Sequence, residues 1–158
     1  MSQLPDATLR FLGAADVPFS IEPRVFPDGT KTSQDAADAV GCELSAITKS
    51  MVFMVDDSPV IVLMSGDLRV DPSKLSVVAG GSARRATLEE ARLHTGFAAG
   101  GTPPFGHPAP ITTFADLRIA RHDELWAAAG TPTTVFPIRR EALLAATSAV
   151  WADLAEGV

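Results

Sequence analysis

At 158 residues, 46% hydrophobic and 20% charged, the chain is sized for one domain with its own core, burying roughly 70% of the surface its unfolded state exposes. Its formal net charge of −6 excludes a protein that coats nucleic acid by general phosphate neutralisation, and DNA is not an expected partner. The apolar runs are strand-sized and too short for a membrane span, lone Cys42 leaves no internal disulfide, and His94, His107 and His122 match no zinc spacing.

In chain order, Leu4 to Ala14 reads as a first helix, with Leu9, Phe11 and Leu12 available to one face. Phe19 to Phe26 alternates as a strand, and Pro27-Asp28-Gly29-Thr30 is a turn signal. Thr32-Ser33-Gln34-Asp35 has the form of a capping box and opens a short helix that Gly41 closes. Ile47 to Val55 and Val60 to Ser65, joined by Asp56-Asp57-Ser58-Pro59, form an antiparallel hairpin. Both faces of each run are apolar, which places the pair in the middle of a covered sheet. Asp71-Pro72 caps a helix through Leu75 to Val78 that stops at Gly80-Gly81. Ala83 to Ala86 is a short strand, and Thr87-Leu88-Glu89-Glu90 is a second capping box whose helix ends near Gly96. Ile111 to Phe114 and Thr134 to Ile138 are further strands, with a segment around Leu117 to Trp126 and the turn Gly130-Thr131-Pro132 between them. Arg140 to Thr147 is the last helix. Strands and helices mix without βαβ repetition, so the expected fold is a single α+β domain over residues 1–158, with one mixed, mostly antiparallel sheet and flanking helices.

Two features carry chemistry. Thr95 to His107 is a glycine and proline loop: Gly100 and Gly101 let a ligand approach the backbone, Pro103 and Pro104 stiffen the chain beyond them, and such a loop offers N–H donors to an oxyanion or a phosphate. A surface turn is the plain alternative. Period-two alternation puts Lys49 on the strand face shared by Ile47, Met51 and Phe53, where an ammonium must either snorkel out or meet an anion or carbonyl in a cleft. The basic pairs Arg84-Arg85, Arg118 with Arg121, and Arg139-Arg140 read either as a patch on an acidic surface or as scattered solvated charges.

Ile47-Thr48-Lys49-Ser50-Met51-Val52-Phe53, the run Thr95-Gly96-Phe97 followed by Gly100-Gly101-Thr102-Pro103-Pro104-Phe105-Gly106, and Ala152-Asp153 together resemble the YbaK-type trans-editing family, relatives of the editing insertion domain of bacterial prolyl-tRNA synthetases. The resemblance spans nearly the whole chain. It implies a compact α+β domain that hydrolyses the ester between a mischarged amino acid and the terminal adenosine of a tRNA, without a cofactor or metal. By the resemblance, Lys49 holds the substrate's carbonyl or terminal phosphate, and backbone amides around Gly100 and Gly101 meet the reacting carbonyl. Thr102, Pro104, Phe105 and Gly106 bind substrate or shape the loop, and Asp153 orders the site from behind. Phe26 reads either as a stacking contact for the adenosine or as ordinary core, with Arg24 the other candidate for that contact.

An aminoacyl ester is already reactive, so positioning, oxyanion stabilisation and a placed water suffice without a nucleophilic triad. The sequence supplies no convincing base, which turns attention to the ribose hydroxyl beside the ester. The late stretch Ala129-Gly130-Thr131-Pro132-Thr133-Thr134 departs from the basic, glycine-containing motif common in the family, leaving the choice of amino acid open. The implied partners are the acceptor end of a mischarged tRNA, with tRNA(Pro) a candidate, and a synthetase. The N-terminus lacks a basic-then-apolar signal, so a cytoplasmic location is expected. The alternatives are a non-catalytic module binding an aminoacyl nucleotide or a protein on the same fold, and hydrolysis of another small ester or amide with the same loop.

Overall fold

A computed structural model of the chain describes residues 4–27 and 32–158. Five α-helices and eight strands are described: α1 (Asp6–Ala14), β1 (Arg24–Val25), α2 (Ser33–Val40), β2 (Thr48–Val55), β3 (Ser58–Ser65), α3 (Pro72–Ala79), β4 (Ala83–Arg85), α4 (Leu88–Thr95), β5 (Thr112–Asp116), β6 (Glu124–Ala128), β7 (Thr134–Arg139), α5 (Arg140–Thr147) and β8 (Val150–Ala152). The strands form two sheets rather than the expected one. One holds five strands in the order β4-β2-β3-β5-β8 and the other three in the order β1-β7-β6. Pairing is antiparallel except for β3 with β5 and β5 with β8.

Local signals fix most element ends. Thr32 and Thr87 both cap reciprocally with the residue three positions on, Asp35 and Glu90, and Asp71 accepts from the Ser73 N–H ahead of Pro72 at the first helical position. The β2–β3 turn is tighter than the sequence implies: Val55 pairs with Ser58 and Met54 with Pro59, so only Asp56 and Asp57 lie outside the ladder. The strand expected from Phe19 shrinks to Arg24–Val25, because Pro23 breaks the run and β7 alone pairs with it. Of the expected turn after Phe26, residues 28–30 lie outside the described residues.

The main core lies between the sheets. Val52, Ile61, Leu63 and Ala115 of the larger sheet meet Leu125, Ala127, Phe136 and Ile138 of the smaller one, with Phe11 of α1, Ala91 of α4 and Leu143 of α5 closing the sides. The alternate residues of β2 and β3, Phe53, Val55, Val60, Val62 and Met64, pack on Leu75 of α3 and on Leu154 and Ala155. Ala36 and Ala37 of α2 cover Ile47, Trp126 and Val135 on the far side of the smaller sheet. Period-two alternation thus gives β2 two apolar faces, as a central strand requires.

The loop after α4 is built into this core. The Phe105 ring lies 5.4 Å from Phe11, 6.0 Å from Phe136 and 6.5 Å from Phe19, ring pairs worth about 0.5–1.5 kcal/mol each beyond their burial. His107 neither rims the cavity that opens between the sheets nor faces solvent freely: its Nε2 lies 2.8 Å from the Pro103 carbonyl, so that nitrogen carries the donating proton. Burial pulls its pKa below the ordinary 6.5. A depressed folded-state value means the unfolded chain binds the proton more readily. Stability from this ring is therefore full above pH 6.5 and is lost as pH falls through that value toward the lower, folded one. Urea midpoints compared at about pH 7.5 and about pH 6 should fall more for the wild type than for His107→Gln, whose amide keeps the bond to Pro103 without titrating. Equal slopes would remove His107 as the source.

Candidate functional site

A cavity of about 600 Å³ opens where the two sheets part. At the start of β2, Ile47 bridges Trp126 of β6; further along, Phe53 to Val55 pair with β4. Between these, Thr48 to Met51 have β3 on one side and no strand on the other. The Val52 carbonyl accepts from the Ala86 N–H, so by the alternation of a strand the Ser50 N–H and C=O face the same, unpaired edge. That edge is one wall of the cavity, which is also lined by Gly100 and Thr102 of the loop, by Trp126, Ala127 and Ala128 of β6, and by Thr131 and Pro132.

Lys49 lines this cavity and is half-buried. Its Nζ donates to the Leu68 carbonyl at 2.6 Å, and among the described residues no carboxylate pairs with it. Burial lowers its pKa from the ordinary lysine value, with Arg69 and Arg85 adding like-charge repulsion and Asp67 opposing them. The lysine is thus half-buried, and its head meets a main-chain carbonyl at the cavity.

Gly100 and Gly101 do different work. Gly100 has φ +88° and faces the cavity, and its N–H makes no hydrogen bond among the described residues. The Gly101 N–H donates to the Ala98 carbonyl at 3.1 Å, and its own carbonyl accepts from Gly130 at 2.9 Å. A Cβ on Gly101 would sit 2.6 Å from the Thr131 Cα, so this glycine is where the loop presses against the Gly130–Thr131 backbone. Gly100 and Thr102 line the cavity and their N–H groups make no hydrogen bond among the described residues, whereas Gly101 is not part of the lining.

The other expected positions lie around the cavity rather than in its wall. Pro104 is buried behind the loop, Phe105 belongs to the aromatic core, and Gly106 turns at φ +82° against the Phe11 ring. Phe26 packs with Ile47 and Trp126, and it is Arg24 that lies over the Trp126 ring, 4.9 Å from its centroid. Asp153 pairs with Arg118 and, at 3.2 Å, with Lys74, and these partners hold its pKa below the usual carboxylate value. The segment it belongs to is tied back to the site by Asp71 N–H to the Leu154 carbonyl and Glu156 N–H to the Arg69 carbonyl.

Reasoning from sequence did not single out Arg69, Glu156 or Trp126, and named Thr131 only within the stretch over residues 129–134 tied to the choice of amino acid; all four line the cavity, from four separate segments. Of the basic pairs, Arg84 is clamped by Glu90, Arg118 by Asp116 and Asp153, Arg121 by Asp67, and Arg140 by Asp123, so no patch forms from them; Arg85 alone lines the cavity. Ser45 Oγ and His122 Nε2 lie 2.7 Å apart, but outside the cavity lining and with no carboxylate on the His122 Nδ1 among the described residues, so they build no triad. No cluster of metal-ligating side chains occurs among the described residues, and no described helix is long and apolar enough to cross a membrane.

Comparison with known proteins places this chain in a family. A crystal structure of a candidate trans-editing enzyme for prolyl-tRNA synthetase superposes with TM-score 0.93 and 40% sequence identity, covering 98% of this chain and 100% of that one. The uncharacterised protein YwhH of Bacillus subtilis (strain 168) is 28% identical over 131 residues, 82% of this chain and 83% of its own length. A proline–tRNA ligase of Xanthomonas campestris pv. campestris (strain 8004) is 36% identical over 98 residues, which are 61% of this chain but only 17% of the ligase. Residues 27–146, which include the lysine strand and the whole glycine loop, match the model of the aminoacyl-tRNA editing domain, and the chain belongs to that family.

Proposed function

We propose that the protein is a free-standing aminoacyl-tRNA deacylase, hydrolysing in trans the ester that joins a misattached amino acid to the terminal adenosine of a tRNA. The observation that carries this reading is the meeting, in one cavity, of the Lys49 ammonium with the unengaged amides of Gly100 and Thr102. In the proposed reaction a water oxygen bonds to the ester carbonyl carbon, and the carbonyl oxygen takes up negative charge facing those amides. The tetrahedral species then collapses with cleavage of the bond to the ribose oxygen. The proton lost by the water passes through the neighbouring ribose hydroxyl to the departing oxygen, giving free amino acid and an intact tRNA terminus. Lys49, already fixed by Leu68, orients the carbonyl or the terminal phosphate with little reorganisation.

The remaining positions support this arrangement. Thr102 contributes its amide, Pro104, Phe105 and Gly106 hold the loop against the aromatic core, and Gly101 sets its distance from Thr131. Phe26 backs the Trp126 side of the cavity, and Asp153 is a positioning residue acting through the C-terminal segment. Similarity to part of several proline–tRNA ligases favours tRNA(Pro) as the carrier, with a synthetase as a further partner in the cytoplasm.

Incubation with alanyl-, cysteinyl- and seryl-tRNA(Pro) should release amino acid from at least one, with Lys49→Ala lowering kcat/KM about 100-fold or more while the fold persists by circular dichroism. Full activity in Lys49→Ala would sink the assignment. No turnover on any member, with an aminoacyl-adenosine analogue still bound, would instead identify a binding module. For Gly101→Ala, thermal melting should register a loss of about 1–3 kcal/mol together with reduced deacylation, because the added methyl meets backbone. An unchanged melting curve would mean the loop does not pack on Thr131 in solution.

A further inference from the structure

The cavity has a second chemical character that the ester chemistry leaves unused. Seven of the ten arginine side chains have a partner: Arg10 the Gly96 carbonyl and the Phe97 ring, Arg24 the Trp126 ring, and Arg84, Arg118, Arg121, Arg139 and Arg140 carboxylates. The exceptions are Arg69, Arg85 and Arg92, whose guanidinium groups have no hydrogen bond, ion pair or ring contact among the described residues. Arg92 is exposed on α4, away from the cavity, whereas Arg69 and Arg85 both line it beside Lys49. Two of the three unpartnered arginines of an acidic protein thus share one cavity with a half-buried lysine.

The backbone makes this grouping. Arg85 is the register partner of Phe53, so its side chain projects on the face of the sheet that Phe53, Met51 and Lys49 share, while Arg84 points the other way to Glu90. Arg69 directly follows Leu68, whose carbonyl anchors Lys49, and its own carbonyl is held by the Glu156 N–H. Both arginines raise the local potential enough to disfavour the charged form of Lys49. Three like charges sharing one cavity repel one another, Asp67 opposes this only in part because Arg121 already holds it, and an anion seated among them removes that repulsion. Glu156 is the one carboxylate in the lining and makes no ion pair with them within 4.0 Å among the described residues.

We propose that Arg69 and Arg85 form a phosphate-binding subsite at the rim of the cavity, which takes phosphodiester groups of the single-stranded acceptor end just 5′ of the terminal nucleoside. This rests on the deacylase reading and adds to it a substrate preference: an ester whose nucleoside carries backbone phosphate is bound more tightly than the ester alone. The subsite reads charge and not base sequence, so it sets affinity and register while the loop and Lys49 act on the ester. Guanidinium is suited to it, since its planar fork matches phosphate oxygens.

The test compares Arg69→Gln, Arg85→Gln, their double variant and Arg92→Gln, on two substrates bearing the same amino acid: an aminoacylated CCA trinucleotide and aminoacylated adenosine without phosphate. The double variant should raise KM for the trinucleotide about tenfold or more with kcat nearly unchanged, and flatten the dependence of log(kcat/KM) on log salt by about 0.7 for each phosphate that is no longer neutralised. Arg92→Gln should match wild type, and on phosphate-free aminoacyl-adenosine the double variant should match it too. Equal losses on both substrates, or an unchanged salt slope, would overturn the subsite. Binding of unacylated CCA trinucleotide, followed by fluorescence anisotropy, separates this from the deacylase reading. Arginine-dependent binding without turnover on any substrate would leave the subsite standing and remove the reaction, whereas turnover with arginine-independent binding would do the reverse.

Discussion

Strand β2 is a central strand over its second half and an edge over its first half, and the site arises from that change. From Val52 onward it has neighbours on both sides, with β3 on one and the β4 chain on the other. Over Thr48 to Met51 the second neighbour is missing, and the strand has only just left its single bridge to β6 at Ile47. A sheet interior would leave no room for a ligand, and a free outer edge would invite pairing with another chain. Here the edge opens inward, onto a space closed by α2, the glycine loop and the smaller sheet, so main-chain polar groups and a lysine are presented to a cavity on a rigid scaffold. Lys49 gains its position from this frame, because the strand fixes its Cα and the Leu68 carbonyl fixes its nitrogen.

The same frame separates charge from the bulk of the molecule. The chain is acidic overall, yet seven of its ten arginines are engaged by nearby carboxylates, carbonyls or rings. Exposed pairs of that kind are worth about 0–1 kcal/mol each, so their main effect is on the field rather than on stability. By neutralising positive charge elsewhere they leave the cavity rim as the place where unpaired cations are concentrated. A polyanionic substrate approaching an otherwise negative surface is then favoured at one opening and repelled over much of the rest.

What could be read from the sequence was what is decided locally. The capping boxes at Thr32 and Thr87, the Asp71-Pro72 start and the left-handed glycines at positions 41, 80 and 96 each act within one turn of chain, and each marks a helix end in the fold. The hairpin was legible because two continuous apolar runs sit either side of a short polar turn. The split into two sheets was not, since it depends on β6 and β7 leaving the larger sheet after a parallel β3–β5 pairing that no local pattern encodes. Strand β8 was missed for a related reason: three residues, two of them exposed, give no alternation to detect. At the site, Lys49 and Gly100 were legible from residue type and from the family resemblance. Arg69 was not, because its relation to Lys49 runs through a carbonyl 19 positions along the chain and through a tether to the C-terminal segment. Gly101 shows the limit within a motif: the sequence marks it as a ligand-facing glycine, whereas the fold uses it for close backbone packing.

That C-terminal tether decides how residues remote from the cavity bear on it. Asp153 is exposed, and its ion pairs with Arg118 and Lys74 are of the weak kind. Asp116 is fully buried at the end of β5 and accepts from the N–H groups of Leu154 and Arg118 and from the Arg118 guanidinium. Removing its carboxylate leaves a buried Leu154 N–H unpaired, which costs about 1–3 kcal/mol, whereas removing that of Asp153 leaves groups that water reaches. Lys74 adds bonds of 2.7 Å to the Ala155 and Val158 carbonyls that do not depend on Asp153. The segment that grips Arg69 through Glu156 and Asp71 through Leu154 is therefore secured by Asp116 from beneath and only trimmed by Asp153 from the surface. The conspicuous acidic residue of the sequence motif is thus the lesser of two carboxylates, and the one that holds the cationic wall in place is Asp116, 37 positions earlier in the chain.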